Sequence, residues 1–162
     1  MSPDLDLRLP WPFWWRLLRE LRRRGGGVRE SGAFLLGRRS GRASTAREFI
    51  PYDDVDPDAL STGIVHLSGH AMNAVWERCD RAGLEVLADV HTHPGEAGQS
   101  GSDRDHPMVA TQGHVALIVP RFASRALDLA GVGHYRYRGA RRWDVLSPPR
   151  PGLLHVNFRG AS

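Results

Sequence analysis

The sequence predicts a mixed α/β (α+β) fold, with a helix near the N-terminus, a second helix in mid-chain and strands around them. Three observations carry this. Trp14, Leu17, Leu18 and Leu21 recur at three- and four-residue spacings in "WPFWWRLLRELRRR", the period of a helix with one apolar face. "ESGAFLLGRRSGRASTAREFIPY" places two strand-like runs either side of a glycine-containing turn, as a hairpin requires. The second half breaks into short apolar and aromatic runs, "HVALIVP", "LDLAGVGHYRYRG", "RRWDVL" and "LLHVNF", separated by Gly, Pro and Arg.

Taken in order, Pro12 suits the first turn of a helix over 11–24, and glycines 25–27 stop it. Residues 31–37 form a strand, Arg39 to Arg42 a turn, and residues 44–51 the return strand. The acidic, proline-containing "DDVDPDALSTG" (53–63) reads as a loop. Ser68 is expected to cap a helix over 69–82 whose apolar row holds Ala71, Val75 and Cys79, with Gly83 at its C-cap. "LEVLADVHTH" (84–93) is a strand running into a glycine-rich polar loop, and a short helical turn follows over 103–111. Strands are then expected at 114–120, 127–139, 141–146 and 153–158. No internal repeat or linker divides the chain, so 1–162 is expected to be a single domain.

A chain of 162 residues can bury a core without disulfide staples. Cys79 is the single cysteine, which fits a reducing cytoplasm, and its place on an apolar helix row reads as packing rather than as a nucleophile. Hydrophobic residues at 41% and charged residues at 25% are ordinary for a soluble protein. No apolar run is long enough for a transmembrane helix, and the N-terminus lacks the pattern of a signal peptide. The formal charge is +4, yet all 22 basic residues are arginine and the chain contains no lysine. A GC-rich genome accounts for that usage; a lysine-free chain also offers no side-chain amine for conjugation. Apart from "LRRRGGG" the arginines are scattered, so neither nucleic acid nor membrane is expected as a partner.

Chemistry concentrates in "ADVHTHPGEAGQSGSD", residues 88–103. Residues i and i+2 of a strand project to one side, so His91 and His93 can aim two imidazoles at one point. Catalytic zinc takes three protein ligands and keeps a fourth position open, and Asp103, across a flexible loop, can supply the third. Zinc activates water and polarises a carbonyl, while a nearby non-coordinating carboxylate must move the proton. Glu30 is the candidate base, and spacing alone leaves Glu20, Glu48 and Glu85 open. Ser100 can donate a hydrogen bond to a developing oxyanion.

"RESGAFLLGR" followed by "DVHTHPGEAGQSGSD" resembles the JAMM motif of MPN-domain metalloproteases, an upstream glutamate, then His-x-His-Pro, then Ser-x-x-Asp. The resemblance covers most of the chain. It implies an MPN/JAB-like mixed, barrel-like sheet flanked by a central helix and the N-terminal helix. By the same resemblance His91, His93 and Asp103 bind one zinc ion, Glu30 is general base and then acid, and Ser100 steadies the tetrahedral intermediate. The reaction implied is hydrolysis of the amide joining a ubiquitin-like C-terminus to a lysine amine or a following peptide. The tail is expected to pair with a strand edge, for which "YDDVDPDALSTGIVH" (52–66) occupies the place. No long linkage-selecting insertion separates Asp103 from "HVALIVP", which suggests an enzyme that reads the tail.

The unembellished core is similar to stand-alone proteases of bacterial ubiquitin-like antiphage operons, whose partners would include E1-like and E2-like proteins. Other bacterial relatives process sulfur-carrier proteins for cysteine or cofactor synthesis, and some are metal-free scaffolds, a reading the complete motif disfavours. From a different class, the alternative is a non-catalytic interaction module using the arginine-rich helix. The loop between the second histidine and the serine is one residue shorter than the usual family pattern. Ser102 with Asp105 also satisfies Ser-x-x-Asp, but "QSGSDRDHPM" resembles the bacterial branch in which the first aspartate binds metal, favouring Ser100 and Asp103. Asp105 and His106 are expected to cap or orient the loop. His66, His70, His114, His134 and His155 lack ligand spacing and are expected to be satisfied or solvated.

Overall fold

The structure, a computed structural model, describes residues 6–61, 67–124, 129, 131–147 and 154–157. The apolar row of residues 11–24 becomes helix α1 (Trp11–Gly25), which buries Phe13, Trp14, Leu17, Leu18 and Leu21 and turns its arginines outward. Pro12 fits its first turn, and Gly26, in the left-handed region at φ 62°, donates its N–H to Arg22 O and ends it. Ahead of α1 lies a strand that the sequence reading missed, β1 (Asp6–Pro10). With only five residues, its inward Leu7 and Leu9 are too short a pattern to separate from a loop.

The hairpin forms as expected, from β2 (Gly32–Ser40) and β3 (Ala43–Pro51). Along β2 the side chains alternate between two cores. Ala33 and Leu35 pack under α1, whereas Phe34 and Leu36 pack under α3 (Ala71–Ala82) with Val75, Cys79 and Tyr52. A strand covered on both faces reads as one apolar run, which is why "GAFLL" shows no polar alternation. β4 (Glu85–Thr92) lies antiparallel to β2 and parallel to β5 (Val115–Val119). β6 (Gly133–Gly139), β7 (Arg142–Val145) and β8 (Leu154–Asn157) complete the set.

Among the described residues, eight strands form one sheet in the order β7-β6-β5-β4-β2-β3-β1-β8. It curls as a half-barrel whose ends, β7 and β8, stay unpaired with each other among those residues. The expected mixed sheet with its N-terminal and central helices is therefore present, and β4 stands mid-sheet. No helix of the described residues is long and apolar enough to cross a membrane.

Some boundaries differ from expectation. Within 53–63, residues Tyr52–Val55 form a helical turn, α2, so the segment is not wholly a loop. Ser68 does not cap α3 through its side chain; His70 is the N-cap, and the Ser68 carbonyl accepts the N–H of Ala71. The short helix after the histidines is α4 (Gly101–Asp105), earlier than 103–111, because Ser100 is its N-cap and Asp103 its third residue, joined in a capping box. Gly83, left-handed at φ 61°, ends α3 as expected. The strand expected at 127–139 begins at Gly133, and residues 127, 128 and 130 lie outside the described residues. So do 62–66, which include His66 and part of the proposed tail-binding edge, and the side chain of His155.

Candidate metal centre

His91 is near the end of β4, and His93 follows directly after it. Their Nε2 atoms are 3.0 Å apart. Asp103, the third residue of α4, brings Oδ1 to 3.2 Å from His91 Nε2 and Oδ2 to 3.1 Å from His93 Nε2. The three potential ligand atoms lie within 4.8 Å of one another. Nitrogen and oxygen ligands of a tetrahedral ion at about 2.0–2.1 Å sit roughly 3.3 Å from each other, so the triangle is close to ligand spacing. Two imidazoles and a carboxylate are also the donor set that zinc and related cations take. The residues fit a metal ion.

The motif's Ser-x-x-Asp spacing has a local structural cause. Ser100 Oγ accepts the N–H of Asp103 at 3.1 Å, while Asp103 Oδ2 accepts the N–H of Ser100 at 2.7 Å, a reciprocal capping box. Asp103 is thereby fixed at the start of α4 with a carboxylate oxygen turned to each histidine. Asp105, at the other end of α4, is exposed and outside the cluster, so the described geometry brings together Asp103 and not Asp105.

Electrostatics bind the cluster. The hydrogen bond that His93 donates to the Asp103 carboxylate raises the pKa of His93 against the opposing effect of burial. Burial alone would push the Asp103 carboxyl up, but hydrogen bonds from His91 and His93 outweigh it and hold Asp103 well below the usual carboxylate range. The ionised carboxylate attracts a cation, and proton and metal compete for the same imidazole nitrogen atoms.

Glu30 Oε1 lies 4.0 Å from His93 Nε2, with a side chain 18% exposed. Its place is set by a clamp between strands. Ser31 N–H donates to Thr92 Oγ1 at 3.0 Å, Thr92 N–H donates to Ser31 O at 2.8 Å, and Ser31 Oγ donates to Leu21 O of α1 at 2.6 Å. The other carboxylates left open by spacing are engaged elsewhere: Glu20 with Arg23 and Arg24, Glu48 with Arg78, and Glu85 with Arg39.

Sequence reasoning missed several supports. Asp89, two residues before His91 in β4, is buried, accepts the Tyr52 hydroxyl at 3.0 Å and lies 2.6 Å from His114 Nε2. Burial, then the Asp89 carboxylate, pushes the Tyr52 phenol far up, so it remains a donor. The carboxylate-imidazole partnership was invisible because it joins residues 25 positions apart. His93 is held on both sides of its backbone, its N–H donating to Val119 O and its carbonyl accepting the N–H of Phe122. Phe122 sits in a run of left-handed residues, Arg121 to Ala123, with φ 53°, 52° and 62°. Nothing in "RFA" signals it, since non-glycine residues pay about 1 kcal/mol or more for that conformation.

The remaining histidines sort by burial. His70 and His106 are exposed at helix ends. His134 departs from expectation: it is buried with no hydrogen-bond partner at Nδ1, and burial, with Arg136 nearby, lowers its pKa to about 4. Cys79 packs in the core under α3, where burial raises its pKa.

The chain matches no family model. It is similar to a Sinorhizobium fredii protein described as "Probable metalloprotease y4jG", 37% identical over 75 residues, which is 46% of this chain and 44% of that relative. The match thus spans less than half of the relative's length. Among solved structures, a Desulfitobacterium hafniense protein superposes with a TM-score of 0.64 at 15% identity, covering 94% of each chain. A Salinibacter ruber protein gives a TM-score of 0.51 at 17% identity, over 89% of this chain and 97% of that one. Both likenesses concern the fold alone.

Proposed function

We propose that the chain is a zinc-dependent (iso)peptidase of the JAMM/MPN type that hydrolyses the amide following the C-terminus of a ubiquitin-like protein. It would release that protein from targets, mature its precursor, or both, within a bacterial ubiquitin-like conjugation system. The single observation that carries the chemistry is the juxtaposition of the His91–His93–Asp103 triangle with Glu30, 4.0 Å from His93 Nε2. A relative described as a probable metalloprotease supports the coarser reading of a metal-dependent peptidase.

In this reading His91, His93 and Asp103 hold the ion. Bound there, it supplies Lewis-acid polarisation of the scissile carbonyl and activation of water. Glu30, beside the cluster without belonging to its triangle, takes a proton onto a carboxylate oxygen and returns it to the departing amine. Ser100 donates its hydroxyl hydrogen to the carbonyl oxygen as charge develops there, while its Oγ keeps the N–H of Asp103. The Ser31–Thr92 clamp holds base and ligands in one frame.

The test is incubation of the zinc-loaded protein with a ubiquitin-like domain fused through its C-terminus to a reporter. Cleavage at the junction, abolished in Glu30→Gln with zinc content unchanged, is the expected result. Cleavage undiminished in Glu30→Gln overturns the assignment of the base. A panel of conjugation-type and sulfur-carrier-type tails separates the two substrate classes by which is cut.

A further inference from the structure

Asp103 reaches the two histidines from a separate stretch of chain, and its capping box with Ser100 fixes the carboxylate only relative to α4. The hairpin of β6 and β7 meets that stretch twice. The sheet places the hairpin through a direct register: His91 of β4 pairs with Ile118 of β5, and Ile118 pairs with Gly133 of β6. Residues paired across neighbouring strands share a face, as do residues i and i+2 of one strand, so Gly133, Tyr135 and Tyr137 lie on the face that carries His91. Tyr135 donates its hydroxyl to Ala97 O, in the loop after the histidines, at 2.6 Å. Gly133 lets the same carbonyl come close, because a Cβ there would stand 2.3 Å from Ala97 O. From β7, the Trp143 indole N–H donates to Arg104 O, on the residue after Asp103, at 3.1 Å. That carbonyl belongs to the last turn of α4, where no helical partner is available. The Trp143 ring is braced in turn by Tyr137, edge-on at 4.9 Å between centroids. Nearer the histidines the loop is tied separately, by Arg121, through its N–H to Gly95 O and its guanidinium to Glu96.

We propose that Tyr135 and Trp143 are positioning residues for the third metal ligand: they clamp the chain at Ala97 and Arg104, on either side of Ser100 and Asp103, and so hold the Asp103 carboxylate opposite His91 and His93. Neither belongs to the ligand triangle, and each acts through a main-chain carbonyl. Without the clamp, Ser100 and Asp103 keep their capping box but lose their fixed distance from the histidines. A carboxylate that must first be ordered gives up part of the free energy of binding the ion, so the effect falls on metal affinity. The clamp presupposes the metal-dependent reading of the site above and no particular substrate.

Three variants of the full chain test this, each losing one polar hydrogen and keeping an aromatic ring. Tyr135→Phe removes the bond to Ala97, and Trp143→Phe removes the bond to Arg104. Tyr137→Phe is the matched control, since its hydroxyl accepts the N–H of Arg141 at 3.2 Å and does not touch the loop. In a zinc competition titration with a chromophoric chelator, the first two should bind zinc about tenfold more weakly, the lower end of the usual cost of losing a support behind a metal ligand, while the control stays within about twofold of the parent. Hydrogen exchange in the presence of chelator reads the same clamp without metal. The amides of Asp103 and Arg104 should exchange faster in Tyr135→Phe and Trp143→Phe than in the parent or the control. Parent-like zinc affinity in both variants, or an equal loss in Tyr137→Phe, overturns the clamp. Unchanged exchange at those amides overturns it whether or not zinc binds. Weakened zinc binding as stated, with no cleavage of any ubiquitin-like fusion by the parent, supports the clamp and instead overturns the peptidase reading.

Discussion

Replacing Gly32 with alanine tests how closely the metal centre is built against the core. Gly32 opens β2 and pairs in register with His91 of β4. A Cβ at this position would collide with the Tyr52 ring and stand 2.5 Å from the carbonyl oxygen of Val90. Neither neighbour can retreat cheaply. Tyr52 is fully buried with its hydroxyl bonded to Asp89, and Val90 is backbone in the central strand that also carries His91. Overpacking a full core costs about 1–3 kcal/mol, and losing a hydrogen bond to a charged group adds about 1.5–3 kcal/mol. A combined loss of about 3–5 kcal/mol, at roughly 2–4 °C per kcal/mol for a chain of this size, lowers the melting temperature by about 6–20 °C. Thermal unfolding followed by circular dichroism reads this directly. Zinc competition with a chromophoric chelator should also show weaker binding, because the register at His91 is disturbed. A Gly32→Ala protein melting within about 2 °C of the parent, with unchanged metal affinity, would refute the argument.

Three further outcomes follow from the structure. Glu30→Gln keeps the shape and the metal but removes the proton acceptor, so turnover should fall by about 10²–10⁴-fold at unchanged zinc content, measured on the fusion substrate. Asp103→Asn should weaken zinc binding by at least about tenfold in a competition titration, while Asp105→Asn should leave it unchanged, since Asp105 is exposed and outside the cluster. Burial holds His134 neutral down to about pH 4, against an ordinary value of 6.5. The unfolded chain therefore takes up this proton first, and stability falls as pH drops from about 6.5 to 4, by on the order of 3 kcal/mol in all. Urea unfolding across that window should show a steeper pH dependence in the parent than in His134→Leu; equal slopes would remove His134 from the explanation.

How much of this was legible in the sequence differs by element. α1 and α3 were readable because each presents an apolar row at helical spacing and ends at a glycine with a left-handed backbone. The histidines were readable because a strand end converts an i, i+2 spacing into a shared direction. Asp103 was readable through Ser-x-x-Asp, and the structure adds the reason: the same spacing makes the capping box that aims its carboxylate. The nearness of Glu30 to His93 depends instead on the β2–β4 register and the Ser31–Thr92 clamp, a pairing across 61 positions that no local pattern encodes. The Asp89–His114 pair, the left-handed turn at Arg121–Ala123 and the short strand β1 are likewise products of tertiary packing, which overrides what their own residues prefer. The outward arginines of α1 were legible as a polar helix face. Part of that charge is spent within the fold, with Arg22 on the Ala123 carbonyl and Arg24 on Asp53 and Asp54.

His91, His93 and Asp103 are proposed to hold a catalytic metal ion. Elemental analysis of the purified full chain by plasma mass spectrometry, alongside His91→Ala and His93→Ala, tests it most directly. The parent should carry close to one zinc per chain and both variants should lose it, with the fold retained by circular dichroism. A parent that takes up no zinc when supplied with it, or variants that keep it at full stoichiometry, would remove these three residues as metal ligands.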